Sequence, residues 1–130
     1  MQLSVLIATA DHTTSAIYQR LLAACGHEVE TVSGGLECLT KLRELVPDLL
    51  VLDGELPWGG ADGVLAWMRE DEHAIFAIPV VLVATDAAAE RSFQSTTPPV
   101  VCCLRKPFRP STLLEAVCVA GQQARETSRN

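Results

Sequence analysis

The sequence has few positive charges and no long apolar run. Ten lysine and arginine residues stand against 16 acidic ones, giving a net charge of −6. A chain with this balance has no overall field that draws it to phosphate backbones or anionic lipid, which argues against nucleic acid as a direct ligand. No window reaches the length of about 18 apolar residues that a membrane span needs, and no basic stretch precedes an apolar leader. We therefore expect no membrane segment and a cytoplasmic location.

The sequence also lacks the spacing of a disulfide framework or a zinc site. Its five cysteines are odd in number, include no CxxC pair, and mostly lie inside apolar stretches. Such residues are typical of reduced, small core side chains. The three histidines, His12, His27 and His73, are far apart and have no neighbouring cysteine or serine arrangement, so we predict surface or turn positions rather than catalytic roles.

The composition that remains is that of one globular domain. Apolar residues make up 48% and charged residues 20% of the 130 residues, a balance far from that of disordered chains. We place the domain at residues 3–120. Residues 121–130 are predicted to form a flexible C-terminal tail.

Apolar segments alternate with helical patterns along the chain. The short apolar runs typical of buried strands cover residues 3–8, 49–52, 79–84 and 100–104, and residues 28–32 are predicted to form a further short strand. Helical spacing of apolar residues, with caps and proline stops, covers residues 11–25, 36–46, 64–69, 86–94 and 111–120. Parallel strands need helical crossovers, so this order predicts a doubly wound α/β fold with five parallel strands and five helices.

Ligands and chemistry collect at the carboxyl ends of the strands in such sheets. The polar residues that end the predicted strands are therefore the candidate site: Thr9, Asp11, Asp53, Thr85 and Lys106. Two simpler interpretations stay open. Asp53 can merely turn the chain before Gly54, and Lys106 can be one member of a basic surface patch.

Several short motifs resemble one known family. PDLLVLD at 47–53, Leu56-Pro57, ADG at 61–63 and LRKPF at 104–108 stand in the order of the phospho-acceptor and lysine-proline motifs of response-regulator receivers. The resemblance extends from Leu3 to about Ala120. It implies a flavodoxin-like sheet with the strand order 2-1-3-4-5, and a two-component signalling module rather than an enzyme that turns over substrate.

The resemblance assigns roles to matching residues. Asp53 is implied to accept a phosphoryl group, and Lys106 to pair with it beside Pro107, often preceded by a cis bond. A carboxylate is a suitable nucleophile for phosphorus, since a lysine can neutralise charge on the phosphoryl oxygens. The hydroxyl that ends the fourth strand in the family falls on Ala84, with Thr85 next to it as the possible switch hydroxyl. The aromatic partner of that hydroxyl falls on Cys103.

The implied Mg²⁺ site departs from the family. Two acids end the first strand of family members, and those positions are Thr9 and Ala10 in this chain. Mg²⁺ takes a near-octahedral shell of oxygens with one or two protein carboxylates, so Asp53 would need help from Asp11 or Glu55. Each has a simpler interpretation, because Asp11 can cap the first helix and Glu55 can be a solvated loop acid.

Three functions follow from these patterns. The first is a receiver that takes a phosphoryl group on Asp53 from a histidine kinase or phosphotransfer protein. The second is a phosphorylation-independent module that has kept only a binding surface. The third is a flavin carrier, which the lack of glycine in the first loop disfavours, or an aspartyl phosphatase built on Asp53-Gly54-Glu55, whose acidic motif would belong on the first strand rather than the third.

The family also implies a surface for a downstream protein. It consists of residues 87–94, 100–104 and 110–120. In addition, the loop after Pro57 is longer than usual in the family, and Trp58 within it is a candidate for partner contact.

Overall fold

A computed structural model describes residues 2–57, 60–70, 77–84 and 99–129, with side chains described as far as residue 122. Five parallel strands form one sheet in the order β2-β1-β3-β4-β5. The strands are β1 (Ser4–Ala8), β2 (Glu28–Val32), β3 (Leu49–Asp53), β4 (Val80–Ala84) and β5 (Val100–Arg105). The predicted sheet and strand order are confirmed.

Four helices are present in the described part of the chain, and they flank the sheet. They are α1 (His12–Ala24), α2 (Gly35–Leu45), α3 (Gly60–Glu70) and α4 (Pro110–Arg129). The helix predicted over 86–94 lies outside the described residues. No described helix has the length and apolar content needed to cross a membrane.

Alternation along the strands divides the core between the two faces of the sheet. In β3, Leu50 and Leu52 pack with α2 and α3, whereas Leu49 and Val51 pack with α1 and α4. Successive strand side chains point to opposite faces, and a sheet covered by helices on both faces therefore has continuous apolar strands. This is why β3 and β4 are buried along their whole length.

Two predicted helix boundaries are wrong. α3 begins at Gly60 rather than Val64, because Ala61 is already part of the core and Asp62 suits the positive end of the helix dipole. α4 continues to Arg129 rather than ending at Ala120. Gly121 is buried against Leu3, and the glutamine, alanine, arginine and glutamate residues that follow are good helix formers. The domain bounds of 3–120 stay a prediction.

Surface or turn positions were predicted for all three histidines, and His27 lies buried in the turn between α1 and β2. His27 is 9% exposed, and its Nδ1 accepts a hydrogen bond of 3.1 Å from the Leu3 N–H. His12 is exposed, and His73 lies outside the described residues. Because Nδ1 is an acceptor, the ring is neutral and carries its proton on Nε2. Burial lowers the pKa of His27 below its ordinary value of 6.5.

This lowered pKa predicts a loss of stability in weak acid. Well above pH 6.5 the ring is neutral in both states; as the pH falls through 6.5, the unfolded chain takes up a proton that the folded chain resists. The free energy of unfolding should therefore fall as the pH is lowered from about 7 to about 5. A His27→Asn variant keeps an acceptor at the position of Nδ1 for the Leu3 N–H and should show a flatter profile in urea unfolding. Equal slopes for the two proteins would contradict this assignment.

Candidate functional site

Asp53 is the last residue of β3 and lies at the carboxyl edge of the sheet. The residue is only 8% exposed, and hydrogen bonds hold its carboxylate in place. The Glu55 N–H donates to Asp53 Oδ1 over 3.0 Å, and the Leu56 N–H donates to the Asp53 carbonyl over 3.1 Å. The Gly54 N–H donates to the Val83 carbonyl of the next strand. Local turn bonds and the neighbouring strand together fix the direction of the carboxylate.

Lys106 reaches Asp53 from the far edge strand. It follows β5 directly, and its N–H donates to the Ala84 carbonyl over 2.8 Å. Its Nζ lies 3.3 Å from Asp53 Oδ2, with 30% of the lysine side chain exposed and 10% of the aspartate side chain. The bond between Lys106 and Pro107 is cis. The structure thus brings together the two residues to which the resemblance gave central roles.

Thr9 supplies a contact that the sequence reasoning missed. It follows β1, is 3% exposed, and donates from Oγ1 to Asp53 Oδ2 over 2.8 Å. Its own N–H donates to the Val32 carbonyl of β2. The sequence marked Thr9 as a polar residue at a strand end and as the residue in the place of an acid, but it did not indicate a hydrogen bond to Asp53. Its hydrogen bond depends on β1 and β3 being neighbours in the sheet.

Within the described part of the chain, three donors therefore serve one carboxylate. Asp53 Oδ1 accepts from the Glu55 N–H, while Oδ2 accepts from the Thr9 hydroxyl and the Lys106 ammonium. Hydrogen bonds to a charged group are shorter and stronger than neutral ones, so these donors fix the direction of the carboxylate. The pocket holds an oriented carboxylate next to the Lys106 ammonium, a combination suited to nucleophilic attack on an electrophilic centre that carries its own negative charge.

Asp11 acts as the cap of α1. Its Oδ1 accepts from the N–H groups of Thr13 and Thr14 over 3.0 and 3.3 Å, and its Oδ2 accepts from the Thr14 hydroxyl over 3.0 Å. The backbone and side-chain hydrogen bonds from Thr14 are the main reason that the pKa of Asp11 is lowered. Both oxygens are thus engaged by the start of the helix, as expected for an N-cap.

The residues present do not fit a Mg²⁺ site. Receiver domains typically bind this ion in an acidic pocket, but Thr9 and Ala10 bring no carboxylate to Asp53, and Asp11 is used as the helix cap. Glu55 contributes its N–H to Asp53, and its side chain is exposed. Across the described segments, no group of three or more histidine, cysteine, aspartate or glutamate side chains could hold a metal ion.

The structure describes only some of the other residues that were predicted to take part in switching or partner contact. Thr85 and Trp58 lie outside the described residues. Ala84 is buried at the end of β4, and Cys103 is half-buried and packs against the core on the α2 and α3 side. The positions to which the resemblance assigned a hydroxyl and an aromatic ring are therefore occupied by small core side chains.

A groove next to Lys106 was not predicted. It has a volume of about 360 Å³ and lies between α1, the segment 106–110 and α4. Tyr18 lines it, with its ring centroid 6.0 Å from that of Phe108. Burial, followed by the negative charges of Asp53 and Asp11, raises the pKa of Tyr18 to about 12. The phenol therefore keeps its proton throughout the neutral range.

Comparison with protein families gives a match over most of the chain. Residues 5–118 match the model described as the response regulator receiver domain. The polar-differentiation response regulator DivK of Brucella ovis is 33% identical over 87 residues, which cover 67% of this chain and 70% of DivK. DivK of Brucella anthropi is 32% identical over the same length.

Solved structures share the fold at lower identity. A putative response regulator from Chloroflexus aurantiacus is 23% identical with a TM-score of 0.84, covering 94% of this chain and 99% of that one. A CheY-like receiver domain protein from Methanospirillum hungatei is 21% identical with a TM-score of 0.85 and covers 98% and 99% of the two chains.

The NtrX protein of Brucella abortus is 18% identical, with a TM-score of 0.86. The alignment covers 99% of this chain but 29% of NtrX, so the shared part is one domain of a longer protein. Receiver domains are generally non-enzymatic signalling modules that interact with histidine kinases, phosphotransfer proteins and downstream proteins. The family match over residues 5–118 and the strand order of the sheet show that this chain belongs to the response regulator receiver domain family of two-component systems.

Proposed function

We propose that this chain is a phospho-accepting receiver that takes a phosphoryl group on Asp53 and passes the signal on by protein contact in the cytoplasm. The observation that carries the proposal is the pairing of Asp53 Oδ2 with Lys106 Nζ over 3.3 Å at the carboxyl edge of the sheet. The donor would be a histidine kinase or a phosphotransfer protein, in keeping with the family.

The chemistry needs one bond to form and one to break. An Asp53 carboxylate oxygen forms a bond to phosphorus, while the bond from phosphorus to the donor's leaving group breaks and that group departs with the electron pair. Lys106 is placed to offset the charge on the phosphoryl oxygens, and the Glu55 N–H keeps the carboxylate oriented. Preorganised charge of this kind is the main source of catalysis in phosphoryl transfer.

The surface for a downstream protein is proposed to include β5 and the first half of α4. Val101 on β5 is 38% exposed and Val119 on α4 is 53% exposed. Exposed aliphatic side chains on neighbouring elements are common in interaction surfaces. The third segment of the expected surface, 87–94, lies outside the described residues.

A second candidate is a phosphorylation-independent interaction module. The observation that favours it is the loss of the acid pair at Thr9 and Ala10, combined with the buried hydrogen bond from Thr9 to Asp53. In such a protein the Asp53 pocket would be structural, and only the outer surface would carry function. The two candidates differ in one measurable property, which is whether Asp53 gains a phosphoryl group.

Replacing Lys106 with methionine tests the proposed function directly. Methionine keeps much of the length of the side chain but not its charge, so the rate of adduct formation with an acyl phosphate should fall about 100-fold, as for other lost electrostatic donors. Intact-mass spectrometry over time gives the rate. The matched control is Arg105→Met, which removes an exposed positive charge one residue away.

Arg105→Met should change that rate by less than about twofold, since exposed charges are well screened. Equal rates for the natural chain and Lys106→Met would remove the proposed role of the lysine. No adduct on the natural chain with any donor would favour the interaction module.

A further inference from the structure

The Thr9 hydroxyl accepts one hydrogen bond and donates another in a fixed direction, which the sequence does not reveal. Its Oγ1 accepts a hydrogen bond of 3.3 Å from the Asp11 N–H and donates one of 2.8 Å to Asp53 Oδ2. The Asp11 N–H can only donate, and the ionised carboxylate can only accept. The hydroxyl proton is therefore directed at Asp53, and the start of α1 holds it there.

Among the described residues, Asp53 Oδ2 thus has two hydrogen-bond donors, of which the Thr9 hydroxyl is neutral. The second donor is the Lys106 ammonium at 3.3 Å, which carries a full charge. A divalent cation that approached this oxygen would have to displace the Thr9 proton and lie beside an ammonium of like charge. The acid nearest to Thr9 in sequence, Asp11, is committed to the helix cap through both oxygens.

We propose that the Thr9 hydroxyl takes the place of a metal ion at Asp53, so that this receiver keeps its carboxylate oriented without a divalent cation. Thr9 is a positioning residue in this account: it holds Oδ2 in place while Lys106 supplies the charge. The part of the inference that concerns metal holds whether or not Asp53 accepts a phosphoryl group. The part that concerns rate rests on the proposed function.

The natural chain gives the first test. Mn²⁺ is a suitable probe for a Mg²⁺ site, and electron paramagnetic resonance counts the free ion. An acidic protein binds some Mn²⁺ at its surface, so the natural chain is compared with Asp53→Asn. We expect the two titrations to coincide. A dissociation constant at least about tenfold weaker in Asp53→Asn would show a cation at Asp53 and overturn the inference.

A single substitution should create the missing site. Thr9→Asp places a second carboxylate within about hydrogen-bond distance of Asp53, where the two charges repel until a cation neutralises them. Mn²⁺ should then bind at least about tenfold more tightly than it binds to the natural chain, because an added negative charge strongly attracts a divalent cation at this short distance. Combining Thr9→Asp with Asp53→Asn should abolish the gain.

The variant titrations also have an outcome that contradicts the inference. Binding by a folded Thr9→Asp protein no tighter than that of the natural chain would mean that Thr9 is not what replaces the metal. Circular dichroism shows whether the variant folds. If it does not, the comparison of the natural chain with Asp53→Asn still decides the question, because neither protein depends on a new carboxylate.

Phosphorylation rates give a separate readout. With an acyl phosphate as donor, the natural chain should form its adduct at the same rate in EDTA and in about 10 mM Mg²⁺. Thr9→Val, which loses the hydroxyl but keeps the shape, should slow the reaction in EDTA, and Thr9→Ser should restore it. A natural rate that depends on Mg²⁺ would overturn the inference. Failure of every protein to form an adduct would refute the proposed function while leaving the Mn²⁺ result intact.

Discussion

Replacing Asp53 with asparagine should abolish the phosphoryl adduct and leave the fold intact. Asparagine has nearly the same shape, but its neutral amide is not a nucleophile for phosphorus. Its carbonyl oxygen can still accept from the Glu55 N–H, and the Thr9 hydroxyl oxygen has a second lone pair that can accept from the amide N–H. Lys106 loses its anion but keeps contact with water, since 30% of its side chain is exposed.

We therefore expect the free energy of unfolding of Asp53→Asn to change by about 1 kcal/mol or less, because the pair is partly solvated. The matched control is Asp48→Asn. Asp48→Asn makes the same chemical change at the opposite edge of the sheet, where Asp48 Oδ2 accepts from the Ser4 N–H over 2.7 Å. That variant should form the adduct at the natural rate. An adduct of equal yield on Asp53→Asn would exclude Asp53 as the acceptor.

Replacing Leu50 with alanine should lower the free energy of unfolding by about 2–5 kcal/mol. Leu50 is fully buried in the middle of β3, between Leu6 of β1 and Val80 of β4. Its removal leaves a cavity that strands fixed on both sides cannot close, so the cost exceeds the transfer energy of the lost methyl groups. A loss of this size is a large part of the stability of about 5–15 kcal/mol that is usual for a domain.

The matched control for Leu50 is Leu36→Ala. Leu36 lies on α2 and is 70% exposed, so the same change should alter stability by about 0.5 kcal/mol or less. Urea unfolding at constant pH gives both values from the shift in midpoint at a similar slope. Equal shifts for the two variants would mean that the core does not have the packing described.

Most of the sheet could be predicted from the sequence because its central strands are buried on both faces. A strand such as β3 must then be almost entirely apolar, so an unbroken apolar run is enough to identify it without a periodic pattern. The first residues of the helices were harder to predict from the sequence. α3 begins at Gly60, and glycine at that point looks like a loop signal until the burial of Ala61 is known.

The parts of the site that were predictable are the ones set by neighbouring residues or by the family resemblance. The cap at Asp11 joins it to Thr13 and Thr14, two and three residues away. The pairing of Asp53 with Lys106 spans 53 residues, and motif order alone suggested it. Each of these contacts had a signal in the sequence.

Other contacts had no such signal. The hydrogen bond from Thr9 to Asp53 joins residues 44 apart, and the one from Leu3 to His27 joins residues 24 apart. Both depend on which strand ends lie side by side, and on how a single side chain is turned. Threonine after a strand is common and carries no hint of a partner. Contacts of this kind have to be seen in three dimensions.

The most direct test of the central claim is to locate the phosphoryl group on the chain. Treating the phosphorylated protein with borohydride reduces an aspartyl phosphate to homoserine, and tandem mass spectrometry then identifies the position. We predict homoserine at residue 53 and at no other aspartate. Homoserine at Asp11, Asp48 or Asp62, or an unmodified residue 53 in a protein that carries the adduct, would contradict the assignment of Asp53 as the acceptor.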